Sequence, residues 1–124
     1  RRRKVYDKLF KDELCRYLRR SKTRYDVILS ADTLCYFGDL ASLFRVICRN
    51  LTQKGLFIFS VEAGDIESDY LLTQSGRYSH GKSYIKKIAN DFMLTEISMV
   101  TRTLRTEYGE PVRGDIWVLS KSGI

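Results

Sequence analysis

The sequence predicts one α/β domain, with a mostly parallel sheet that ends in an antiparallel hairpin. An apolar run at residues 25–29, an amphipathic helix pattern and a second apolar run at 56–61 follow one another as strand, helix and strand. Near the carboxyl terminus, Gly109-Glu110-Pro111 separates two further strand patterns, which indicates a hairpin. The 124 residues match the length of a single domain, which we assign to residues 1–124.

The helix between the two apolar runs has the strongest pattern in the chain. Its apolar side chains recur at the three-and-four spacing that forms one stripe along a helix. Asp39 is placed to cap the start of this helix, and Gly55 is placed to close it. A helix of this kind joins two parallel strands. The members of the stripe are Leu40, Leu43, Phe44, Ile47 and Leu51.

The second half of the chain is predicted to contain a long connection, one helix and two strands. Residues 63–81 have little periodicity and predict a long connection over the strand ends. A helix is predicted from Lys82 to about Asp91. Residues 93–108 predict a strand at the sheet edge, and residues 112–120 predict a strand covered on both faces.

The positive charge of the chain lies in its first fifth. Residues 1–24 carry eleven Lys or Arg against three acids, whereas residues 25–124 carry eleven against twelve. This basic block contains no recognisable nucleic-acid-binding module, so the pattern favours a solvated helix face and makes a nucleic-acid partner unlikely. Within the block, residues 5–11 predict one short strand and residues 12–20 predict a helix.

Cysteine spacing and hydropathy argue against a disulfide-stabilised, metal-binding, membrane-spanning or secreted protein. Cys15, Cys35 and Cys48 are widely spaced with no C-x-x-C pair, which predicts reduced, packed thiols and no metal site. No apolar run approaches the roughly 20 residues of a membrane span, and the basic start is not followed by the apolar stretch of a signal peptide. We expect a soluble, cytoplasmic chain without a membrane partner.

Two acidic residues follow the two parallel strand patterns. Because the carboxyl ends of parallel strands share one edge of a sheet, Asp32 and Glu62 are expected to lie side by side where α/β folds bind ligands. His80 is the only histidine, and its ordinary pKa suits a general base near neutrality. Glu62 and His80 are therefore the catalytic candidates. The competing interpretations are a solvated strand-end carboxylate and a histidine that packs a loop.

Four sequence motifs, in order and with consistent gaps, carry a family resemblance. Residues 25–40, Tyr-Asp-Val-Ile-Leu-Ser-Ala-Asp-Thr-Leu-Cys-Tyr-Phe-Gly-Asp-Leu, resemble the fourth strand and following turn of class I S-adenosylmethionine-dependent methyltransferases. Leu-Phe-Ile-Phe-Ser-Val-Glu (56–62) resembles the fifth strand of that family. Gly-Arg-Tyr-Ser-His (76–80) and Leu-Arg-Thr-Glu-Tyr-Gly-Glu-Pro-Val-Arg-Gly (104–114) are similar to the predicted methyltransferases associated with tetratricopeptide-repeat proteins.

The resemblance implies a fold, a cofactor and a set of site residues. The fold would be a partial Rossmann-like sheet that lacks the first two strands of the family, with residues 8–11 as its third strand. The activity would be methyl transfer from S-adenosylmethionine to a small-molecule or unidentified acceptor. The implied cofactor contacts are Asp12, Glu13, Ala31 and Asp32, and the implied substrate contacts are Tyr36, Glu62, Arg77, Tyr78 and His80.

The chain departs from the family at two turns. No Gly-x-Gly occurs anywhere, although the family holds the carboxypropyl and ribose groups of the cofactor on a Gly-rich turn. Residues 52–55, Thr-Gln-Lys-Gly, replace the usual Pro-Gly-Gly turn and leave Lys54 where glycine is common. Residues 31–34, Ala-Asp-Thr-Leu, lack the Asn/Asp-Pro-Pro-Tyr turn of the adenine and glutamine methyltransferases, which disfavours those substrates.

The missing strands have a structural consequence of their own. The strand at 27–29 is apolar on both faces and belongs inside a sheet, yet the sequence supplies no parallel neighbour for it. We therefore expect a fragment or a degenerate copy that associates with itself or with a partner chain through that sheet edge. The alternative function is a non-catalytic, methyltransferase-like remnant that binds a protein or, through residues 1–24, a polyanion.

Overall fold

A computed structural model describes residues 20, 23–31, 33–64 and 69–121. The elements predicted at 5–11 and 12–20 lie outside these residues, apart from Arg20, which is helical. No helix of the described ranges is long and apolar enough to cross a membrane. In chain order the elements are β1 (Tyr25–Ser30), a 3-10 turn (Leu34–Tyr36), α1 (Ala41–Arg49), β2 (Leu51–Ala63), β3 (Tyr70–Leu72), β4 (Tyr78–His80), α2 (Lys82–Asp91), β5 (Leu94–Glu107) and β6 (Glu110–Lys121).

All six strands belong to one mixed sheet with β2 at its centre. One edge of β2 pairs in parallel with β1 and, farther along, with β4, while its other edge pairs antiparallel with β6. β3 flanks β4 and β5 flanks β6, both antiparallel. The expectation of a mostly parallel sheet is therefore wrong for the described residues. The reason is that β3 and β4 form a hairpin within 63–81, where the sequence predicted an irregular connection.

Helices α1 and α2 cover one face of this sheet and form the core with it. From β2 and β6, Phe57, Phe59, Val61 and Trp117 point toward the helices and are at most 1% exposed. Phe44 of α1 packs edge-on against Phe57 and Phe59, with ring centroids 5.6 and 5.7 Å apart. Each fully buried side chain of this size stabilises the fold by about 1.5–3 kcal/mol. The helix stripe predicted from the sequence thus faces the sheet.

The predicted start of α1 is confirmed, but its predicted end is wrong. The Oδ1 atom of Asp39 accepts a hydrogen bond from the backbone N–H of Ala41 at 2.8 Å, so the predicted cap is present. Closure at Gly55 is wrong, because the helix ends at Arg49. Asn50 follows it, and its side-chain Nδ2 donates to a carbonyl of the last helical turn at 2.7 Å. The chain enters β2 directly after this residue.

The predicted carboxyl-terminal hairpin is confirmed, but its turn is tighter than expected. Tyr108 and Gly109 alone form the turn, with φ angles of 53° and 78°. Glu107 pairs with Glu110, so Glu110 and Pro111 belong to β6. Positive φ at both central residues defines a type I′ turn, whose twist matches that of the flanking strands. As predicted, β5 lies at the edge of the described sheet, and β6 lies between β2 and β5.

β1 is more exposed than the sequence predicted. Among the described residues it pairs with β2 alone. Val27 is 52% exposed and Leu29 is 70% exposed, whereas Ile28 between them packs against the core. The expectation that both faces of this strand are covered is therefore wrong for the described part of the chain, because the described helices pack on the Ile28 side only.

His80 ends β4 and does not lie in a surface loop as predicted. Its Nε2 atom is 2.9 Å from the carbonyl oxygen of Phe37 and 3.1 Å from that of Gly38. Because carbonyl oxygens only accept hydrogen bonds, Nε2 carries the proton and donates to both. The ring is fully buried, and this burial lowers the pKa of the imidazole. Neutral His80 thus fastens the segment after β1 to β4.

Lys54 occupies a left-handed backbone conformation with φ 65°. Tyr25 pairs with Leu51 and Val27 pairs with Leu56, so residues 52–55 project out of the ladder between β1 and β2. A residue with a Cβ atom is disfavoured in this conformation. Lys54 therefore stands where the geometry favours glycine.

We expect Lys54→Gly to raise the free energy of unfolding by about 1 kcal/mol, because glycine adopts positive φ without steric cost. Lys54→Ala removes the charge but keeps the Cβ atom, so its effect should stay within about 0.5 kcal/mol. Urea denaturation of both variants measures the difference. Equal effects of the two substitutions would contradict the conformational explanation.

His80 should make the stability of the chain depend on pH. Its folded-state pKa is lowered, so the unfolded chain takes up a proton that the folded chain resists. Stability should be fully present above the ordinary histidine pKa of about 6.5 and should fall as the pH drops below it. His80→Gln keeps an N–H donor but cannot titrate, so its urea midpoint should change less than that of the parent chain between pH values of about 7.5 and 5.5. Identical pH profiles, or an imidazole that titrates at its ordinary pKa by NMR, would exclude this role.

Candidate functional site

The carboxyl ends of β1 and β2 lie at one edge of the sheet, as their parallel pairing requires. Ser30 is paired with Phe59, so Ala31 comes just after β1 while β2 continues to Glu62. Ala31 is exposed. Position 32 lies outside the described residues, and the expected proximity of Asp32 and Glu62 therefore stays a prediction. The same holds for the implied cofactor contacts Asp12 and Glu13.

Glu62 forms the central ion pair of this edge. Its carboxylate is buried and pairs with Nη2 of Arg105, which comes from β5 on the far side of β6. The β6 residue opposite Glu62 is Gly114, where an added Cβ atom would lie 2.2 Å from the Leu104 side chain. Arg105 also donates from Nε to Glu107 at 2.6 Å. Although burial lowers it, hydrogen bonds to the two carboxylates raise the pKa of Arg105, which stays a cation.

Arg77 extends these contacts toward the segment after β1. Its Nη1 atom donates to Oε2 of Glu107 at 3.1 Å. Burial lowers the pKa of the Arg77 guanidinium, but its interaction with the Tyr36 side chain raises it, and the net pKa is raised. Tyr36 belongs to the 3-10 turn that follows β1. Three of the implied substrate contacts are thereby connected through two residues of β5. We refer to Tyr36, Glu62, Arg77, Arg105 and Glu107 as the ion-pair cluster.

Tyr78 and His80 do not join the ion-pair cluster. Ser79 between them is paired with Glu62, so the side chains of Tyr78 and His80 point to the opposite side of the sheet. There the Tyr78 ring packs 6.0 Å from that of Tyr70, and a Cβ atom on Gly38 would meet either ring at 2.9 Å. Both residues therefore pack the segment after β1 against the β3–β4 hairpin. Their implied contacts with substrate stay predictions.

Arg105 and Glu107 are functional candidates that the sequence reasoning missed. Their spacing of two residues on a strand places both on one face, which was a usable signal. The sequence does not reveal that this face is also that of Glu62. That depends on the register across three strands, including irregularities of β5 between Glu96 and Ser98 and between Thr103 and Arg105.

The ion-pair cluster leaves Glu62 able to bind a polar group. Its carboxylate accepts a hydrogen bond from Arg105, and the remaining lone pairs of its oxygens can accept from a polar group and hold that group in place. Two carboxylates and two guanidinium groups leave the cluster with no net charge. Such a surface suits a ligand that both donates and accepts hydrogen bonds.

The remaining chemistry-bearing side chains form no second centre in the described ranges. Within those ranges Cys35 and Cys48 form no disulfide bond, and burial raises the pKa of the Cys48 thiol. Cys15 lies outside those ranges. Where the chain is described, no group of three His, Cys, Asp or Glu side chains is arranged to hold a metal ion.

The described residues form one side of a candidate site, but they do not form a binding site for S-adenosylmethionine. Of the four implied cofactor contacts only Ala31 is described, and it is exposed. The sequence has no Gly-x-Gly turn to receive the amino-acid end of the cofactor. The donors and acceptors of the ion-pair cluster suit a polar methyl acceptor better than the cofactor. These residues alone therefore do not fit the cofactor.

Comparison with known proteins identifies the fold. No family model matches the chain, and a search of curated proteins gave no significant match. Among solved structures it is similar to an S-adenosylmethionine-dependent methyltransferase from Methanosarcina mazei, with a TM-score of 0.67 and 11% identity over 85% of this chain and 64% of that one. It is similar to magnesium protoporphyrin IX methyltransferase from Synechocystis PCC 6803 with bound S-adenosylmethionine, with a TM-score of 0.59 and 16% identity over 85% and 43% of the two chains. The N-methyltransferase NodS from Bradyrhizobium japonicum WM9 gives a TM-score of 0.57 and 16% identity over 82% and 53%.

These identities establish a shared fold and nothing finer. The chain spans between 43% and 64% of the length of the three proteins. A link to the tetratricopeptide-associated group stays a prediction. The chain has the α/β fold of class I S-adenosylmethionine-dependent methyltransferase domains, over part of their length.

Proposed function

We propose that the chain is the carboxyl-terminal part of a catalytic domain that transfers a methyl group from S-adenosylmethionine to a small-molecule or as yet unidentified acceptor. The observation that carries the proposal is the ion-pair cluster. It lies at the edge where β1 and β2 end, in a fold shared with S-adenosylmethionine-dependent methyltransferases. This is also the edge where α/β sheets bind their ligands.

The ion-pair cluster is suited to methyl transfer, because this reaction requires few catalytic side chains. The reaction is a direct displacement at a sulfonium, so the protein mainly has to align the acceptor with the methyl group. Side chains that sit on strands and hold one another by ion pairs are well fixed for this task. In this proposal Glu62 orients the acceptor, Arg105 positions Glu62, and Tyr36 and Arg77 contact the acceptor.

The cofactor would be held mainly by residues outside the described ranges. By resemblance these are Asp12, Glu13 and Asp32, together with Ala31 at the end of β1. A further polypeptide segment would supply the Gly-rich turn, either from a partner chain or from a longer form of this one. The exposed Val27 and Leu29 support such an association through β1, because they leave apolar surface on that strand.

The absence of any Gly-x-Gly turn favours one competing function. A methyltransferase-like remnant would keep the fold and lose the cofactor, and it could bind a protein, or a polyanion through residues 1–24. Retention on heparin that weakens steeply with salt, and that is lost when residues 1–4 are deleted, would support the polyanion form of this alternative.

Calorimetry with S-adenosylhomocysteine should distinguish the two functions. We expect the chain to bind this ligand with a dissociation constant below about 1 mM. Asp32→Ala and Asp12→Ala should each weaken binding at least about tenfold, or about 1.4 kcal/mol, because both carboxylates are assigned to the cofactor. Glu62→Gln is the matched control. It should leave the affinity within about threefold, because Glu62 is assigned to the acceptor.

Two outcomes would decide against the enzyme. Absence of heat at millimolar ligand would favour the remnant. Equal losses in Glu62→Gln and Asp32→Ala would refute the assignment of the two carboxylates to different ligands.

A further inference from the structure

We propose that the tips of the two hairpins form a binding site for a single-ring aromatic carboxylate that also carries a hydroxyl or amino group. The turn between β3 and β4 faces the turn between β5 and β6 across a cavity of about 320 Å³. This volume suits one small ring. The cavity is lined by Ser75, Arg77, Glu107 and Tyr108. Identifying this ligand with the methyl acceptor rests on the proposed function, but its binding does not.

Tyr108 supplies the aromatic surface of this cavity, although both its exposure and its backbone conformation are unfavourable for a tyrosine. It is fully exposed, and its φ of 53° belongs to a turn position where Asn, Asp or Gly is preferred. Residues that are unfavourable for the fold are concentrated at functional sites. A planar ligand that stacks on the ring would give this residue a role.

Arg77 supplies the positive charge. A guanidinium has five N–H donors, and Arg77 directs one of them at Glu107. Its side chain is 25% exposed, at the wall of the cavity. Glu107 accepts from both Arg77 and Arg105 on the same oxygen, and Arg105 also pairs with Glu62. Arg77 keeps further N–H donors, and these can bind a ligand carboxylate but not a ligand cation.

Ser75 supplies a hydrogen-bond acceptor. The hydroxyl of Thr73 lies 2.7 Å from the Arg77 carbonyl, to which it must donate its single hydrogen. The 2.9 Å contact between the Thr73 and Ser75 hydroxyls then uses the hydrogen of Ser75. The Ser75 oxygen is left to accept a hydrogen bond. A ligand hydroxyl or amino group would provide the donor.

Titration of the ¹⁵N-labelled chain with 3-hydroxybenzoate tests the proposal by NMR. We expect millimolar binding, with amide shifts confined to residues 73–77 and 107–110. Cyclohexanecarboxylate has the same charge without the flat ring, and it should bind at least about tenfold more weakly.

Two variants test the assigned roles. Tyr108→Asn removes the ring but provides a residue that the turn prefers, so the variant should be at least as stable as the parent and should lose at least about tenfold in affinity. Arg77→Gln should lose a similar factor. Lys86→Gln, at an exposed position of α2, is the control and should bind like the parent.

Any of four results would overturn the proposal: no shifts in the low millimolar range, shifts centred elsewhere, equal affinity for the two acids, or unchanged affinity in folded Tyr108→Asn. Failure to bind S-adenosylhomocysteine would refute the methyltransferase proposal alone. Failure of the 3-hydroxybenzoate titration would refute the hairpin-tip site alone.

Discussion

The pairing of β2 along both of its edges determines where the charged groups of the site lie. One edge holds β1 and then β4 in parallel, and the other edge holds β6 antiparallel. Glu62 therefore stands between Ser79 on one side and Gly114 on the other, at the edge where β1 ends. The contact between Glu62 and Arg105 depends on this register, because a shift of one residue would turn Glu62 toward the helices.

The two faces of the sheet differ in composition, since one packs against the helices and the other carries charged side chains. One face packs aromatic side chains under α1 and α2, and it also buries His80, which fastens the segment after β1. The other face carries the ion-pair cluster and, along β1, the exposed Val27 and Leu29. Under the proposed function, the residues that stabilise the fold and those that contact the acceptor are thereby largely separated. Side chains on the face that carries the ion-pair cluster can then change while the packing against α1 and α2 is kept.

Local patterns in the sequence were sufficient for most of the elements but not for their arrangement. The apolar stripe of α1 predicts a helix and its buried face, and the apolar runs at 25–29 and 56–61 predict strands. The β3–β4 hairpin has only three residues in each strand, too few for a periodic signal. Long-range pairing made His80 a core residue and brought Arg105 to Glu62, and no local pattern encodes such pairing. The missed residues are thus those whose roles depend on register.

Gly114 shows how an absent side chain can govern electrostatics. β5 and β6 approach closely enough for Leu104 to occupy the space above this glycine, and Arg105 then reaches the central strand. Any larger residue here would act as a spacer that separates a cation on the rim from an anion in the middle of the sheet. A substitution of Gly114 would therefore leave the Glu62 carboxylate without its guanidinium partner, although no charged residue is changed.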